Sequence, residues 1–457
     1  MRATAIATGL AMASSLWADL AIRGMDEPAA AVTQPANNTA SVANFAIGDS
    51  YLRIVDIGPG EAKLQIANKS FVKPSGTGPV VYLTGAIHIA DAGFYTSVQS
   101  MLDTMDVVLF EGVRPKGGSR LPADATDEQR ETATKDRVEM VASIVKAVWE
   151  ASGTMPRSLA EIGEAKPKLE SMLEDLAVDG WGNPIAIEVI NATSKPAGNA
   201  DDSKTATEKS SNAGNSIRVF SHGKDHAAGG DGHSGDVEQI VSAPKSGPSK
   251  NKNLQEKLAK AFGLSYQGEA MNTSKPNWRS SDLSIDQIIK RAKESGGDAS
   301  LLLSMLDGNS VLAKLGGFVL GFIEASPALR ATMKVTLVEV LANADPQASG
   351  AALGKGGGAL MKVIIEDRND VVLDDLAKIM AGEPRVKTVA AFYGAGHMAD
   401  MEKKLVGRYG YEPGEVVWID AVLLNAEEMG INEKDFAKMR KSAAASAKGL
   451  MKKTDKK

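Results

Sequence analysis

The sequence has no cysteine among its 457 residues. This absence excludes disulfide bonds, thiolate metal ligands and a cysteine nucleophile, and it is compatible with either an exported or a cytosolic protein. An excess of positive charge is also missing, because 52 Lys and Arg residues face 57 Asp and Glu residues, which gives a net charge of −5. Dedicated nucleic-acid-binding proteins usually carry a basic footprint. We therefore expect no nucleic-acid partner.

Long apolar runs are scarce after the N-terminal region. The longest one spans Leu315–Ala325, contains Glu324 and is flanked by Lys314 and Arg330. A membrane-spanning helix needs about 20 apolar residues. This run therefore predicts a buried helix of a globular protein.

Residues 1–44 have one early arginine, a short apolar stretch and then a segment rich in Ala, Pro, Asn and Thr. This pattern resembles a weak signal peptide followed by a flexible leader, with Ala29-Ala30-Ala31 as the cleavage region. It favours a periplasmic or envelope-associated location over a cytoplasmic one.

The most informative feature that is present is a turn that occurs twice. An apolar run over 80–84 leads into Gly85-Ala86-Ile87-His88, and another over 389–393 leads into Gly394-Ala395-Gly396-His397. The chain has only five histidines, so two at equivalent strand ends suggest one shared site. Ligands of open α/β sheets collect beyond the carboxyl ends of the strands.

The first of these turns belongs to a predicted βαβ unit. Its strand covers 79–84, its helix about 91–104 and its second strand 107–110, which ends at Glu111. If the two strands are parallel and joined by a right-handed crossover, His88 and Glu111 lie at the same sheet edge.

Two imidazoles and a carboxylate from strand ends can bind a divalent metal, lower the pKa of a bound water and polarise a carbonyl. The glycine three residues before each histidine is predicted to permit the tight turn that brings the backbone close to the site. The alternative is that His88 and His397 cap the helices that follow them.

These residues resemble the TraB/PrgY family and its GumN-like and Tiki-like relatives. The resemblance covers about 45–113 and 254–423, and it rests on four motifs, Val81–Asp91, Asp106–Gly112, Glu366–Asp370 and Tyr393–Met398. The segment Pro276–Leu283 resembles a further block of the family.

The resemblance implies an α/β core and, by analogy with Tiki-like members, metal-dependent peptide hydrolysis. Carried over, His88 and His397 would be ligands or catalytic, and Glu111 a ligand or general base. Arg368, with Asn369 beside it, would stabilise a developing oxyanion. For Arg368 the alternative is an ion pair on a helix surface. Manganese, cobalt and zinc are candidate metals.

A second group of polar residues lies in the loop Gly223–Asp236. The loop holds many glycines and carboxylates together with His226 and His233, and His222 directly precedes it. Hard oxygen ligands on a flexible loop suit calcium. The histidines leave zinc open as an alternative, and a solvated loop without metal is the third interpretation.

The region that contains this loop, 132–240, resembles the C-terminal part of the type II secretion major pseudopilin. The resemblance rests on an amphipathic helix, Gly153–Pro156, Asp179–Pro184 and Phe220–Asp225. It implies calcium held by Asp225 and Asp236. The long N-terminal apolar helix of that family is missing from the insert, so a grafted globular module is predicted instead of an assembling pilus subunit.

The predicted architecture is therefore an α/β protein whose mixed or mostly parallel sheet is flanked by helices and interrupted by a small α+β insert. Its parts are the leader at 1–44, the core at 45–113 and 254–423, the insert at 132–240 and a basic tail at 424–457. The predicted function is metal-dependent hydrolysis of a peptide or protein. A non-catalytic protein that binds a peptide signal, and an envelope or secretion-linked scaffold, remain the alternatives.

Overall fold

The computed structural model describes residues 42–114, 118, 121, 124–166, 169–190, 216–242, 259–260, 262–297, 326–343 and 357–454. The predicted helix at 315–325, and the predicted leader up to residue 41, lie outside the described residues. No helix among the described residues is long and apolar enough to cross a membrane.

The strands are, in chain order, β1 Val42–Asn44, β2 Leu52–Gly58, β3 Glu61–Val72, β4 Val80–Ala86, β5 Ile89–Ala90, β6 Val107–Phe110, β7 Ala186–Ile190, β8 Ser216–Ser221, β9 Val237–Ser242, β10 Ser265–Tyr266, β11 Trp278–Ser280, β12 Thr388–Gly394 and β13 Glu412–Asn425.

The α-helices are α1 Ala92–Leu102, α2 Asp127–Ser152, α3 Leu159–Ala165, α4 Glu170–Leu176, α5 Gln267–Ala270, α6 Ile285–Glu294, α7 Pro327–Asn343, α8 Gly357–Met361, α9 Arg368–Gly382, α10 Met398–Tyr409 and α11 Glu433–Thr454. A π-helical turn, Lys362–Asp367, joins α8 to α9, and a 3-10 turn, Ala395–His397, joins β12 to α10.

The chain divides into two compact units, of which the second spans Arg114–Asn251 and the first contains the described residues on either side of it. The first unit is built on an eight-stranded sheet in the order β1-β13-β3-β4-β12-β6-β11, with β2 paired to β3. Strands β4, β12, β6 and β11 run parallel, and β3 and β13 are antiparallel. The predicted α/β class with a mixed sheet flanked by helices is confirmed.

Alternation along β12 explains why both faces of this sheet are covered. Ala390 and Phe392 belong to a core formed with α1, α7 and α11, whereas Val389 and Ala391 belong to a core formed with α9 and α10. Successive side chains of a strand point to opposite faces. A parallel strand buried on both faces is expected to be apolar throughout, as β12 is.

The second unit has its own sheet, β7-β8-β9, in which both pairings are antiparallel. Its core forms between this sheet and α2, whose buried residues include Val138, Val141 and Val145. Helix α2 begins with a capping box between Thr126 and Gln129, which satisfies backbone N–H groups of its first turn. The predicted insert at 132–240 lies within this unit.

Two element bounds differ from what the local sequence favours. Residues 114–131 are Pro- and Gly-rich and then charged, which is typical of a linker, but α2 already begins at Asp127 because of its capping box. The periodicity over about 157–176 favours one helix, whereas the structure has two, α3 and α4. The basic tail at 424–457 contains α11, which buries Phe436, Ala443 and Ala447.

Candidate active site at the sheet edge

The four parallel strands end at one edge of the sheet, and each is followed by a polar site residue. His88 follows β4, Glu111 follows β6, Asp282 follows β11 and His397 follows β12. Since parallel strands place their carboxyl ends together, residues far apart in the chain become neighbours there. The Nε2 atom of His397 lies 3.6 Å from Oε1 of Glu111.

Arg368 joins these strand ends from the first position of α9. Its Nε and Nη2 atoms donate to the two oxygens of Asp282 at 2.8 and 2.6 Å, and Nη2 also donates to Oε1 of Glu111 at 2.8 Å. Its side chain is fully buried. Burial lowers the pKa of Arg368, but Asp282 and Glu111 outweigh it and raise the pKa above its ordinary value. Arg368 is therefore a permanent buried cation.

The alternative interpretation of Arg368, an ion pair on a helix surface, is wrong, because the guanidinium and its two partners are buried. The π-helical turn Lys362–Asp367 immediately precedes it. Such turns inside helices frequently occur at functional sites, and this one places Arg368 and Asn369 at the beginning of α9.

Glu111 is the second charged group of the site. Burial raises its pKa, but Arg368 and then His397 favour the ionised form, and the pKa falls to about 2. Its Oε2 atom also accepts a hydrogen bond from the backbone N–H of Gly394 at 2.7 Å. Glu111 is thus a carboxylate at neutral pH, with both oxygens engaged.

His397 is held by Asn369. Its Nδ1 lies 2.8 Å from Oδ1 of Asn369, and its Nε2 lies 3.5 Å from Nη1 of Arg368. Burial lowers the pKa of His397 to about 4, although Glu111 acts in the opposite direction. The imidazole is therefore neutral at physiological pH.

His88 is buried as well, with 8% of its surface exposed. Burial lowers its pKa, against the attraction of Glu111. Its carbonyl oxygen accepts from the backbone N–H of Gln267 at 2.8 Å, a contact that continues the pairing of β5 with β10. The buried Nδ1 of His88 and the buried Oε1 of Gln267 make no hydrogen bond of normal geometry among the described residues, although the Gln267 side chain is close enough to favour the charged form of His88.

Neither histidine caps a helix through its side chain. The N-cap residue of α1 is Asp91, and His397, the N-cap residue of α10, makes no side-chain cap hydrogen bond. The glycines of the repeated turn, Gly85 and Gly394, have no positive φ. A Cβ atom on Gly85 would lie 2.9 Å from Ile66, and one on Gly394 would lie 3.2 Å from Oε2 of Glu111. The close approach of neighbouring groups, and not a special turn conformation, therefore favours glycine at these positions.

The donor set can be tested for its fit to a divalent cation. Asp282 and Glu111 carry two negative charges against the one positive charge of Arg368, so the cluster keeps one net negative charge when both imidazoles are neutral. A buried charge is unfavourable unless it is paired, and neutral imidazoles and carboxylates are common metal ligands. The unpartnered Nδ1 of His88 adds a donor in need of a partner. In charge and chemistry, His88, Glu111 and His397 fit such a cation.

The same side chains are not already grouped around a common point. Among the described residues, no three or more His, Asp and Glu side chains are arranged to hold a metal ion. At the sheet edge the reason is visible in the contacts of Glu111, whose Oε1 accepts from Arg368 and whose Oε2 accepts from Gly394. A cation would compete with Arg368 for Oε1.

In the loop of the second unit, the two predicted calcium ligands, Asp225 and Asp236, each accept a backbone N–H from a different part of the loop. Oδ1 of Asp225 accepts the N–H of Ala227 at 3.1 Å, and Oδ1 of Asp236 accepts the N–H of Gly229 at 3.1 Å. Nδ1 of His222 lies 3.0 Å from the same oxygen of Asp236. This contact with His222, together with that of Gly229, lowers the pKa of Asp236 although burial opposes it.

The histidines of this loop do not share one site. His222 contacts Asp236, whereas Nδ1 of His233 lies 2.6 Å from Oε2 of Glu131 on α2. His226 is exposed, has a φ of 56°, and its ring centroid lies 6.4 Å from that of His222. Two of these imidazoles thus contact carboxylates in different places, which does not favour a zinc site that uses all of them.

Three site residues were not singled out from the sequence. Asp282 lies inside the block Pro276–Leu283 that carries part of the family resemblance, so a signal was present. Gln267 and Asp400 had none, because their relation to the histidines arises only from strand pairing and helix packing. Asp400 accepts a hydrogen bond from Asn369 at 2.9 Å.

Comparisons with protein-family models, with curated proteins and with solved structures found no match.

Proposed function

We propose that the protein is a hydrolase that acts on peptide bonds at the carboxyl edge of its parallel strands, with a divalent cation held by His88, Glu111 and His397. The observation that carries this proposal is the convergence of buried imidazoles, carboxylates and one guanidinium from four strand ends and α9. The resemblance of the repeated turn to Tiki-like proteins supports the reaction class.

The chain's own residues have distinct parts in this proposal. Nη1 of Arg368 faces His397, and its fixed positive charge can stabilise an oxyanion without reorganisation. Glu111, with a pKa of about 2, is a weak base near neutral pH, since an effective general base has a pKa close to the working pH. We therefore assign Glu111 as a ligand and not as the base.

The imidazoles are present in the form that ligation requires. Metal-bound histidine must be neutral, and burial lowers the pKa of both His88 and His397. A divalent cation, when bound, lowers the pKa of a water molecule and polarises a carbonyl. Asn369 orients His397, as the groups behind a ligating histidine commonly do.

The test combines elemental analysis of purified protein with cleavage of a peptide library. We expect a divalent transition metal at about one ion per chain, counted apart from calcium, and cleavage that is lost in His88→Ala and in His397→Ala. His226→Asn is the matched control, because His226 is exposed in the second unit and asparagine tolerates its positive φ. Metal binding and peptide retention without turnover would favour the peptide-binding alternative, and absence of both would end the proposal.

For the second unit, we propose a calcium site in the loop Gly223–Asp236, with Asp225 and Asp236 as side-chain ligands. The carboxylates, the glycine-rich backbone and the resemblance to the major pseudopilin support it. Calcium, but not magnesium, should raise the melting temperature, and Asp236→Asn should remove this effect. Glu188→Gln is the control, because this exposed carboxylate lies on β7 outside the loop.

A further inference from the structure

We infer that Asp400 is a positioning residue that selects the tautomer of His397 by fixing the side-chain amide of Asn369. The inference concerns the arrangement behind the imidazole and deepens the proposed function, on which it rests for its consequence in ligand binding. It begins from the hydrogen bonds of Asn369, which is fully buried at the start of α9.

The amide nitrogen of Asn369 has two neighbours that can only accept. Nδ2 lies 2.9 Å from Oδ2 of Asp400 and 3.0 Å from the backbone carbonyl oxygen of His397. A carboxylate and a carbonyl have no hydrogen to donate. The NH2 group must therefore be on this side, and its two hydrogens are both used.

The amide oxygen is consequently on the other side, where it faces His397. Oδ1 lies 2.8 Å from Nδ1 of the imidazole. Because an amide oxygen only accepts, Nδ1 must carry the hydrogen. In a neutral imidazole the other nitrogen, Nε2, then has the free lone pair, and this is the atom that faces Glu111 and Arg368.

In the series of contacts from Asp400 through Asn369 to His397, Asp400 is the residue that can be substituted without changing a side chain that contacts the imidazole. Its side chain is 24% exposed, and Nζ of Lys404 lies 2.8 Å from Oδ2, the oxygen that also accepts from Asn369. Without its carboxylate, two contacts would remain to oppose rotation of the Asn369 amide: the carbonyl of His397 at 3.0 Å and, through the imidazole, Nη1 of Arg368, which lies 3.5 Å from Nε2. A rotated amide would place NH2 opposite Nδ1, move the imidazole hydrogen to Nε2 and block that atom as a ligand.

The primary test reads the tautomer directly, in full-length protein labelled with 15N at histidine, by long-range 1H–15N spectra near pH 7. We expect the Nδ1–H form of His397 in the unsubstituted protein and a substantial Nε2–H population in Asp400→Ala. Asp400→Asn should keep the Nδ1–H form, because its amide oxygen can still accept. Asp370→Asn is the matched control, since Asp370 shares Lys404 at 2.9 Å and lies outside the site.

A second variant guards against misfolding of Asp400→Ala. Asp400→Asn serves this purpose, because asparagine has nearly the same size as aspartate and its amide oxygen can still accept from Nδ2 of Asn369. An Nε2–H form in this variant would overturn the inference. An unchanged Nδ1–H form in folded Asp400→Ala would overturn it too.

Titration with Mn²⁺ separates this inference from the proposed function. If both hold, Asp400→Ala should weaken Mn²⁺ binding about 10-fold, within the range seen when groups behind a metal-bound histidine are removed. If Mn²⁺ does not bind even to the unsubstituted protein, the metal proposal fails while the NMR result still decides the role of Asp400.

Discussion

Arg368 is the counter-ion of two buried carboxylates, Asp282 and Glu111, and it lies between them. Arg368→Leu would leave Asp282 and Glu111 buried without their counter-ion, and breaking a buried ion pair from one side costs roughly 3–5 kcal/mol. We expect a loss of that order in the free energy of unfolding, measured by urea titration.

Arg279 is a natural control for this substitution, since it pairs with Glu383 at 2.6 Å in an exposed position. Exposed ion pairs contribute about 0–1 kcal/mol, so Arg279→Leu should have a small effect. Equal losses in the two variants would show that the buried charges of the site do not govern its stability.

The lowered pKa values of His397 and Glu111 make stability depend on pH. His397 has a pKa of about 4 in the folded protein against an ordinary value of 6.5, so the unfolded chain binds more protons between these values. Glu111, at about 2 against 4.5, behaves in the same way over a lower range. Without bound metal, the free energy of unfolding should therefore fall as the pH falls from about 6.5, by up to about 1.4 kcal/mol per pH unit for each group.

Urea titrations of metal-free protein in steps from about pH 7 to pH 4 would measure this slope. In His397→Gln the slope between about pH 6.5 and 4 should be shallower, because that titrating group is gone. A variant with the full slope would show that His397 is not the group responsible.

At the scale of elements, the end of β12 packs closely against the residue that follows β6. Gly394 of β12 donates its backbone N–H to Glu111 at 2.7 Å, so there is little room for a side chain at this position. Gly394→Ala would place a methyl group 3.2 Å from Oε2 of Glu111, so this carboxylate must shift away from its hydrogen bond with the Gly394 N–H. We expect peptide cleavage to fall by about 10-fold, which corresponds to roughly 1.4 kcal/mol of transition-state stabilisation.

The control for Gly394→Ala is Gly407→Ala in α10. A Cβ atom on Gly407 meets nothing within 4 Å, and alanine in a helix is favoured over glycine by about 0.5–1 kcal/mol. Cleavage by this variant should be unchanged and its stability slightly higher. If both variants cleave alike, the space beside Glu111 does not limit activity.

The elements that the sequence predicted well are those with a clear local pattern. The predicted strands at 79–84 and 107–110 are β4 and β6. Strand β11 was not predicted, because its three residues are too few for any periodicity. Its pairing with β6, which lies far away in the chain, is what makes it a strand.

The same distinction applies to the site. His88, Glu111 and His397 could be proposed as neighbours because strand ends of a parallel sheet share an edge. Arg368 and Asn369 came from the family resemblance alone. The pairing of Asp282 with Arg368 depends on β11 and α9 meeting in three dimensions, and no spacing along the chain reports that contact.

At the scale of the whole molecule, the two units have separate hydrophobic cores. The core of the second unit contains residues of α2, α3, α4, β7, β8 and β9 together with neighbouring loop residues, and all of them lie between 138 and 241. The cores of the first unit contain none of these residues. Since burial of apolar surface is the main stabilising contribution to folding, each unit has its own source of stability.

This division predicts that a core substitution in one unit spares the other. Ile217 on β8 is fully buried in the second unit, and Leu376 on α9 is 2% exposed in the first. Truncating either to alanine should cost about 2–5 kcal/mol. In calorimetric unfolding, Ile217→Ala should lower one transition and Leu376→Ala the other.

The two proposed metal sites predict which unfolding transition belongs to which unit. A ligand that binds only folded protein stabilises the part that binds it, by RT ln(1 + [L]/Kd). Mn²⁺ should therefore raise the transition that Leu376→Ala lowers, and calcium the one that Ile217→Ala lowers. A single transition shifted equally by both substitutions would mean that the two cores unfold as one cooperative structure.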